Sequence, residues 1–322
     1  MTAVTERRSP TRPGCARTPT AGSTSASTTG RSRSGAQSAR ASNRLLSALR
    51  APAVAGRFYP GARGELEGVV RGLLDEAAPA PPAAPAAARA AVAPHAGYVY
   101  SGLTAAHVFA RLAIPPLVVI LAPNHSGVCH APGGVSLWAA GAFRTPLGDA
   151  AVDERFGARL VAACDLVAPD PEAHRAEHAV EVEVPFLQLR RPGVRIVPLV
   201  LAWDEWEGCR LLGAALAELV REWPEGVLLL ASSDLNHYEP AGVSEPKDRR
   251  ALEALVALDG AELLVRCRRE HISMCGRAPA ATVCAAARAL GAEHAAVVHY
   301  SHSGMVTGDD DAVVGYGGVV IP

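Results

Sequence analysis

Four short segments carry the side chains of this chain best suited to chemistry: PHAGYVYSG with His95, PNHSG with His125, DLNHY with Asp234 and His237, and HISMCGRAP with Cys275. Each of the first three follows directly on an apolar run, at Val92, at Leu117 to Ala122 and at Gly226 to Ser233. Ligands of open α/β sheets bind outside the carboxyl ends of the strands, so three such ends bearing His converge on one crevice. Imidazole and thiolate suit borderline and soft transition metals. Two His with one Cys leave coordination positions open, as in a catalytic rather than a structural site. Cys275 stands just before a helix start, where the dipole favours a thiolate. Gly97, Gly102 and Gly127 give the backbone freedom to turn sharply beside a ligand. A plainer reading stays open here. His95, His125 and Cys275 are far apart in sequence and fit no metal motif, so the histidines could simply cap strands while Cys275 packs as a small hydrophobe.

AHRAEHAVEVEVPFLQL crowds His174, Glu177, His178, Glu181 and Glu183 into an apolar stretch. His178 is expected in the pocket, as a donor or as an orienter of a ligand. Glu177 and Glu181, an i, i+4 pair of like charge, read as solvated. Pro185 should kink the helix or start a new one. His107, His130, His271, His294 and His302 have no second feature to pair with and read as ordinary histidines. Asp309, Asp310 and Asp311 read as a solvated turn.

The elements that must position these groups follow from apolar patterning. Leu66, Val69, Val70, Leu73 and Leu74 recur at three and four residue steps, the stripe of an amphipathic helix. The segment from Ala77 to Ala90, four Pro among mostly Ala, reads as a loop. Six apolar runs then read as strands, near Val92, Leu117, Val194, Gly226, Ala295 and Ala312. Helical composition or periodicity covers Ala151 to Ala163, Trp203 to Glu222, Lys247 to Leu258 and Ala278 to Leu290. Strands apolar on both faces that alternate with helices predict a single α/β domain: a central mixed, largely parallel sheet covered by helices.

The 322 residues carry a net charge of -1, which hides an asymmetry: residues 1–50 hold net +8 and the remainder net -9. An acidic body excludes a nucleic-acid groove, which rests on clustered Lys and Arg. The apolar runs fall well short of the roughly 18 residues of a membrane span. Arg7 and Arg8 lack the apolar segment of an export signal, so the expected location is cytoplasmic. Seven Cys form no C-x-x-C pair, which argues against a disulfide framework. Residues 1–50, rich in Ser, Thr, Gly, Arg and Pro, are expected to be a disordered basic tail, and residues 51–322 the folded body. Neither a P-loop nor a G-x-S-x-G elbow is present.

PAVAGRFYP, PHAGYVYSGLTAAH, LAPNHSG, TPLGDAAVD, EHAVEVEVPFLQ, SSDLNHYEP, MCGRAP, YSHSGMVTGD and VVGYGG, in unbroken order, together resemble the Memo family. Bacterial members are known as protein B of the AmmeMemoRadiSam system. The resemblance implies a fold similar to class III extradiol dioxygenases and one iron or copper ion per chain on His95, His125 and Cys275. Cys275 stands where the dioxygenases have a carboxylate. The resemblance also implies an active-site His237 accompanied by Asp234, and AMMECR1-like and radical SAM proteins as partners. EHAVEVEVP departs from the commoner EHSLEVQLP, Ala280 from a larger aliphatic, and the basic tail is extra. Two functions follow. One is a metal-dependent oxidoreductase, with His237 as general acid or base and Asp234 orienting it, acting on an unknown small molecule. The other is a peptide- or protein-binding module that uses the same crevice without a reaction.

Overall fold

The computed structural model describes residues 49–78 and 84–322. The expectation for the tail therefore lies outside the described residues up to position 48, as does that for the core of the Pro/Ala loop at 79–83. In chain order the elements are β1 (Leu49–Arg50), α1 (Arg63–Glu76), β2 (Ala90–Ala93), α2 (Tyr98–Arg111), β3 (Leu117–Pro123), β4 (Val135–Leu137), β5 (Ala142–Thr145) and β6 (Gly148–Ala151). Then come α3 (Glu154–Ala163), β7 (Val167–Pro169), α4 (Glu172–Arg175), α5 (Ala179–Arg190), β8 (Arg195–Leu201), α6 (Trp206–Glu222), β9 (Val227–Ser232) and β10 (His237–Glu239). The chain ends with α7 (Ala241–Val256), α8 (Gly260–Arg269), α9 (Arg277–Ala289), β11 (Ala296–His302), α10 (Gly304–Thr307) and β12 (Val313–Ile321).

The main sheet runs β10-β12-β2-β9-β3-β8-β4-β7, with β11 also on β12. Its centre, β2-β9-β3-β8, is wholly parallel. The flanks are antiparallel where β12 meets β2 and where β4 meets β8. The expected α/β architecture is thus present, with the parallel character confined to the middle and to the β4–β7 edge pair. A small sheet joins β1, β5 and β6.

Side chains of a strand alternate between faces, and β3 shows both faces dry. Leu117, Val119 and Leu121 enter one core with Leu212, Leu216 and Val283 of α6 and α9. Val118, Ile120 and Ala122 enter the other with Leu66, Phe109 and Phe186 of α1, α2 and α5. That double burial is why the central strands read as unbroken apolar runs.

Helix boundaries differ from expectation for local reasons. α3 starts at Glu154 because Ala151 belongs to β6 and Asp153 caps the helix, accepting from Phe156 N–H. α7 begins at Ala241, six residues ahead of Lys247, and tolerates Pro246 in its second turn. α8 was not foreseen; Asp259 caps it by accepting from Glu262 N–H. α5 runs on through Pro185 instead of restarting there. The folded body also begins ahead of Ala51. Arg50 is buried, ion-paired to Glu181 and hydrogen-bonded to the carbonyls of His174 and Glu177, so the residue cannot belong to a tail.

Candidate metal centre

β2, β9 and β3 are adjacent and parallel, so their carboxyl ends share one edge. His95 follows β2, His125 follows β3 and Asp234 follows β9. Cys275 arrives from the loop before α9. Gly276 makes this approach possible: a Cβ there would collide with Ser232 O and Ser233 Cβ at the end of β9. Of the three glycines expected to turn sharply, only Gly127 has a left-handed φ, at 71°. Gly97 caps α2, and Gly102 lies within that helix, tight against Leu73.

One ligand atom each from His95, His125 and Cys275 lies within 4.8 Å of the others. Cys275 Sγ is 3.3 Å from His95 Nε2. Hydrogen bonding behind the rings decides which nitrogens are free. Glu177 Oε1 stands 2.9 Å from His125 Nδ1 and its Oε2 accepts from His125 N–H at 2.6 Å. A carboxylate only accepts, so Nδ1 carries the proton and Nε2 is the free donor. His95 Nδ1 is 2.8 Å from Ser232 Oγ, whose own single hydrogen is claimed by Ala179 O at 2.8 Å. Nδ1–H therefore donates to the serine, and Nε2 again faces Cys275. These three residues fit a metal ion: two bare imidazole nitrogens and a sulfur converge, each ring fixed from behind.

Burial, followed by the nearby His125, lowers His95 to about 3, so its ring is neutral. Burial pulls His125 down too, but the hydrogen bond and charge of Glu177 outweigh it and raise the group. Burial opposes ionisation of Glu177, yet His125 and the Ala179 N–H bring it to about 2. Burial and the neighbouring Asp234 push the Cys275 thiol well up. Both work against the thiolate that the helix start favours.

His178 does line the pocket: its ring stacks on His125 with centroids 4.5 Å apart and meets His95 edge-on at 5.4 Å. Burial, then His95, lowers it to about 4. Asp234 turns inward. Its Oδ1 accepts from His95 N–H at 2.9 Å, and its own N–H reaches Cys275 Sγ at 3.3 Å. It forms no hydrogen bond with the His237 ring. That ring is oriented by Ser273, whose carbonyl takes Nδ1–H at 3.1 Å, leaving Nε2 free. Asp234, His237 and Cys275 nevertheless bring ligand atoms within 4.8 Å of one another.

The solvated reading of the glutamates is overturned. Glu177, Glu181 and Glu183 are all buried. Glu181 takes Arg50, Tyr59 OH and the N–H groups of Ala53 and Val54, while Glu183 reaches Ser232 Oγ at 2.7 Å. Desolvation keeps the Glu183 carboxyl well above the usual range. Over the floor of His95, His125 and Cys275 opens a cavity of about 890 Å³, walled by Arg57, Phe58, Tyr100 and Tyr238. Among the described residues no helix is long and apolar enough to cross a membrane.

A family model described as Memo-like protein matches residues 50–320. A MEMO1 family protein of Methanopyrus kandleri is 38% identical over 284 residues, covering 84% of this chain and 98% of that protein. MEMO1 family proteins of Methanothermobacter thermautotrophicus and Aquifex aeolicus are each 37% identical, covering 83% and 84% of this chain and 98% of their own lengths. A solved structure, an uncharacterized protein from Escherichia coli K12, aligns with a TM-score of 0.47 at 14% identity, over 71% of this chain and 98% of that one.

Proposed function

The chain belongs to the Memo-like family, and from that premise we propose that it is a metal-binding redox protein holding one iron or copper ion on His95, His125 and Cys275. The observation that carries the reading is the convergence of one imidazole nitrogen each from His95 and His125 and the Cys275 sulfur within 4.8 Å. Such an ion, when bound, would supply one-electron redox chemistry. The residues do the rest. Glu177 and Ser232 hold the imidazoles, and Asp234 fixes the His95 backbone. Phe58 and His178, with ring centroids 4.9 Å apart, form an aromatic wall on one side of the cavity. His237, with Nδ1–H given to Ser273 and Nε2 bare, accepts or returns a proton at the cavity floor.

Thiolate ligation in place of a carboxylate makes the centre softer and more electron-rich than a two-His-one-carboxylate site. Redox chemistry on a substrate other than a catechol ring fits these donors best. The partners proposed are an AMMECR1-like protein and a radical SAM protein, and the location the cytoplasm. Anaerobic titration with Fe(II) and Cu(I) tests the centre. One ion per chain is expected in the wild type and none at stoichiometric level in His95→Ala, His125→Ala or Cys275→Ser. His237→Ala should keep the ion and lose oxygen uptake. Unaltered affinity in Cys275→Ser would sink the assignment.

A further inference from the structure

His302 closes β11 and is 4% exposed, yet its Nδ1 has no hydrogen-bond partner among the described residues. The other ring nitrogen, Nε2, stands 3.4 Å from Glu245 Oε1 of α7, so the ring proton is drawn to that side. Nδ1 then presents a lone pair, and it faces Asp310 Oδ1 at 3.9 Å. That separation is too long for a hydrogen bond. Two donors at about 2.0–2.2 Å from one tetrahedral ion stand roughly 3.3–3.6 Å apart, so a small turn of the exposed Asp310 side chain would bring this pair to an ion. Without a positive charge between them, a lone pair and a carboxylate oxygen repel.

The first residue of α10, a glycine, is what lets these groups come together. A Cβ on Gly304 would collide with Asp310 Oδ1 and stand 2.8 Å from the Asp309 carbonyl oxygen and 3.0 Å from His302 Nδ1. Three donor atoms therefore gather around one glycine. The arrangement also has the support usual behind a ligating histidine, a carboxylate on the far nitrogen.

We propose that His302 Nδ1, Asp310 Oδ1 and the Asp309 carbonyl oxygen hold a divalent first-row transition cation, at a site separate from His95, His125 and Cys275. One imidazole nitrogen with two oxygens suits zinc or its neighbours better than calcium or magnesium, which take oxygen alone. The site abuts the large cavity, because Ser303, Thr307 and Asp309 line it. Its cation braces that wall. Sequence patterning hid it, since His302 lacked a neighbouring partner and the Asp run read as solvated.

Zn²⁺ titration of the full chain, with elemental analysis after desalting, tests this independently of the first centre. One equivalent should disappear, or bind at least about tenfold more weakly, in His302→Ala and Asp310→Asn, and persist in Cys275→Ser. Asp310 is exposed, so its replacement leaves the core intact and guards against a folding artefact. Gly304→Ala should behave as Asp310→Asn does. Zinc binding indifferent to both His302→Ala and Asp310→Asn overturns the site, whatever Cys275→Ser does. So does ¹⁵N NMR showing both His302 nitrogens protonated with Zn²⁺ present, for the residue would then be a cation itself between two carboxylates.

Discussion

Glu177 grips His125 twice, through the ring Nδ1 and through the backbone N–H, while its own buried position leaves no water to compete. Both contacts need an acceptor with two oxygens. Glu177→Gln offers one oxygen and one NH₂, so one of the two donors loses its partner and the ring loses the charge that raised it. Fe(II) affinity should fall about 10- to 100-fold, as is usual for partners behind a ligand. Calorimetric titration measures it, with circular dichroism as a check on folding. Affinity within about twofold of wild type would mean that His125 is not a ligand. Nothing in the sequence announced this role. Glu177 precedes a second glutamate by four residues, a spacing that ordinarily marks a wet helix face, and its partner lies 52 residues away.

The same blindness applies to the helix that follows it. α5 is buried from Ala179 to Leu187, and Glu181 and Glu183 within it, with Glu177 just ahead of it, serve three different neighbours. Glu181 holds the N-terminal segment through Arg50, Tyr59 and two backbone N–H groups, and that segment supplies Arg57 and Phe58 to the cavity wall. Removing one partner of a buried pair leaves an uncompensated charge, so Glu181→Ala and Arg50→Ala should each cost about 3–5 kcal/mol. The double variant should cost less than the sum, since neither charge is then stranded. Urea unfolding of the three proteins decides it, and strict additivity would contradict the pairing. Strands tell the opposite story. All six apolar runs are strands, and in β2, β3, β8 and β9 burial on both faces writes itself into composition. β1, β4, β5, β6, β7 and β10 escaped notice because they are short and, unlike the four-residue β2, broken by polar residues, Gly or Pro. The gathering of His95, His125 and Asp234 was legible for the same reason as the strands: each stands just past the end of one.

At the scale of the molecule, the segment that runs from Asp234 into β10 is tied to the neighbouring strands β11 and β12 through Asp248 of α7. This carboxyl accepts from Asn236 N–H at 2.8 Å and from Tyr300 OH of β11 at 2.8 Å, and it lies against Gly315 of β12, where any side chain would collide with it. Burial raises it to about 7, against the hydrogen bonds from Asn236 and Tyr300 that favour the charged form. The unfolded chain gives up this proton near pH 4, so the folded protein binds it more tightly. Asp248 therefore adds stability that is complete below about pH 4 and drains away as the pH climbs to about 7. Asp248→Asn keeps a neutral group of the same shape and removes the titration. Relative to wild type, the variant should gain at most about 1.4 kcal/mol per pH unit between pH 4 and 7, and nothing further above that. Urea unfolding of both proteins at pH 5, 6, 7 and 8 measures the difference directly, so other titrating groups cancel. A difference that stays flat across that range would show that Asp248 is ionised in the folded protein and that the tie between α7 and that segment is a charged one.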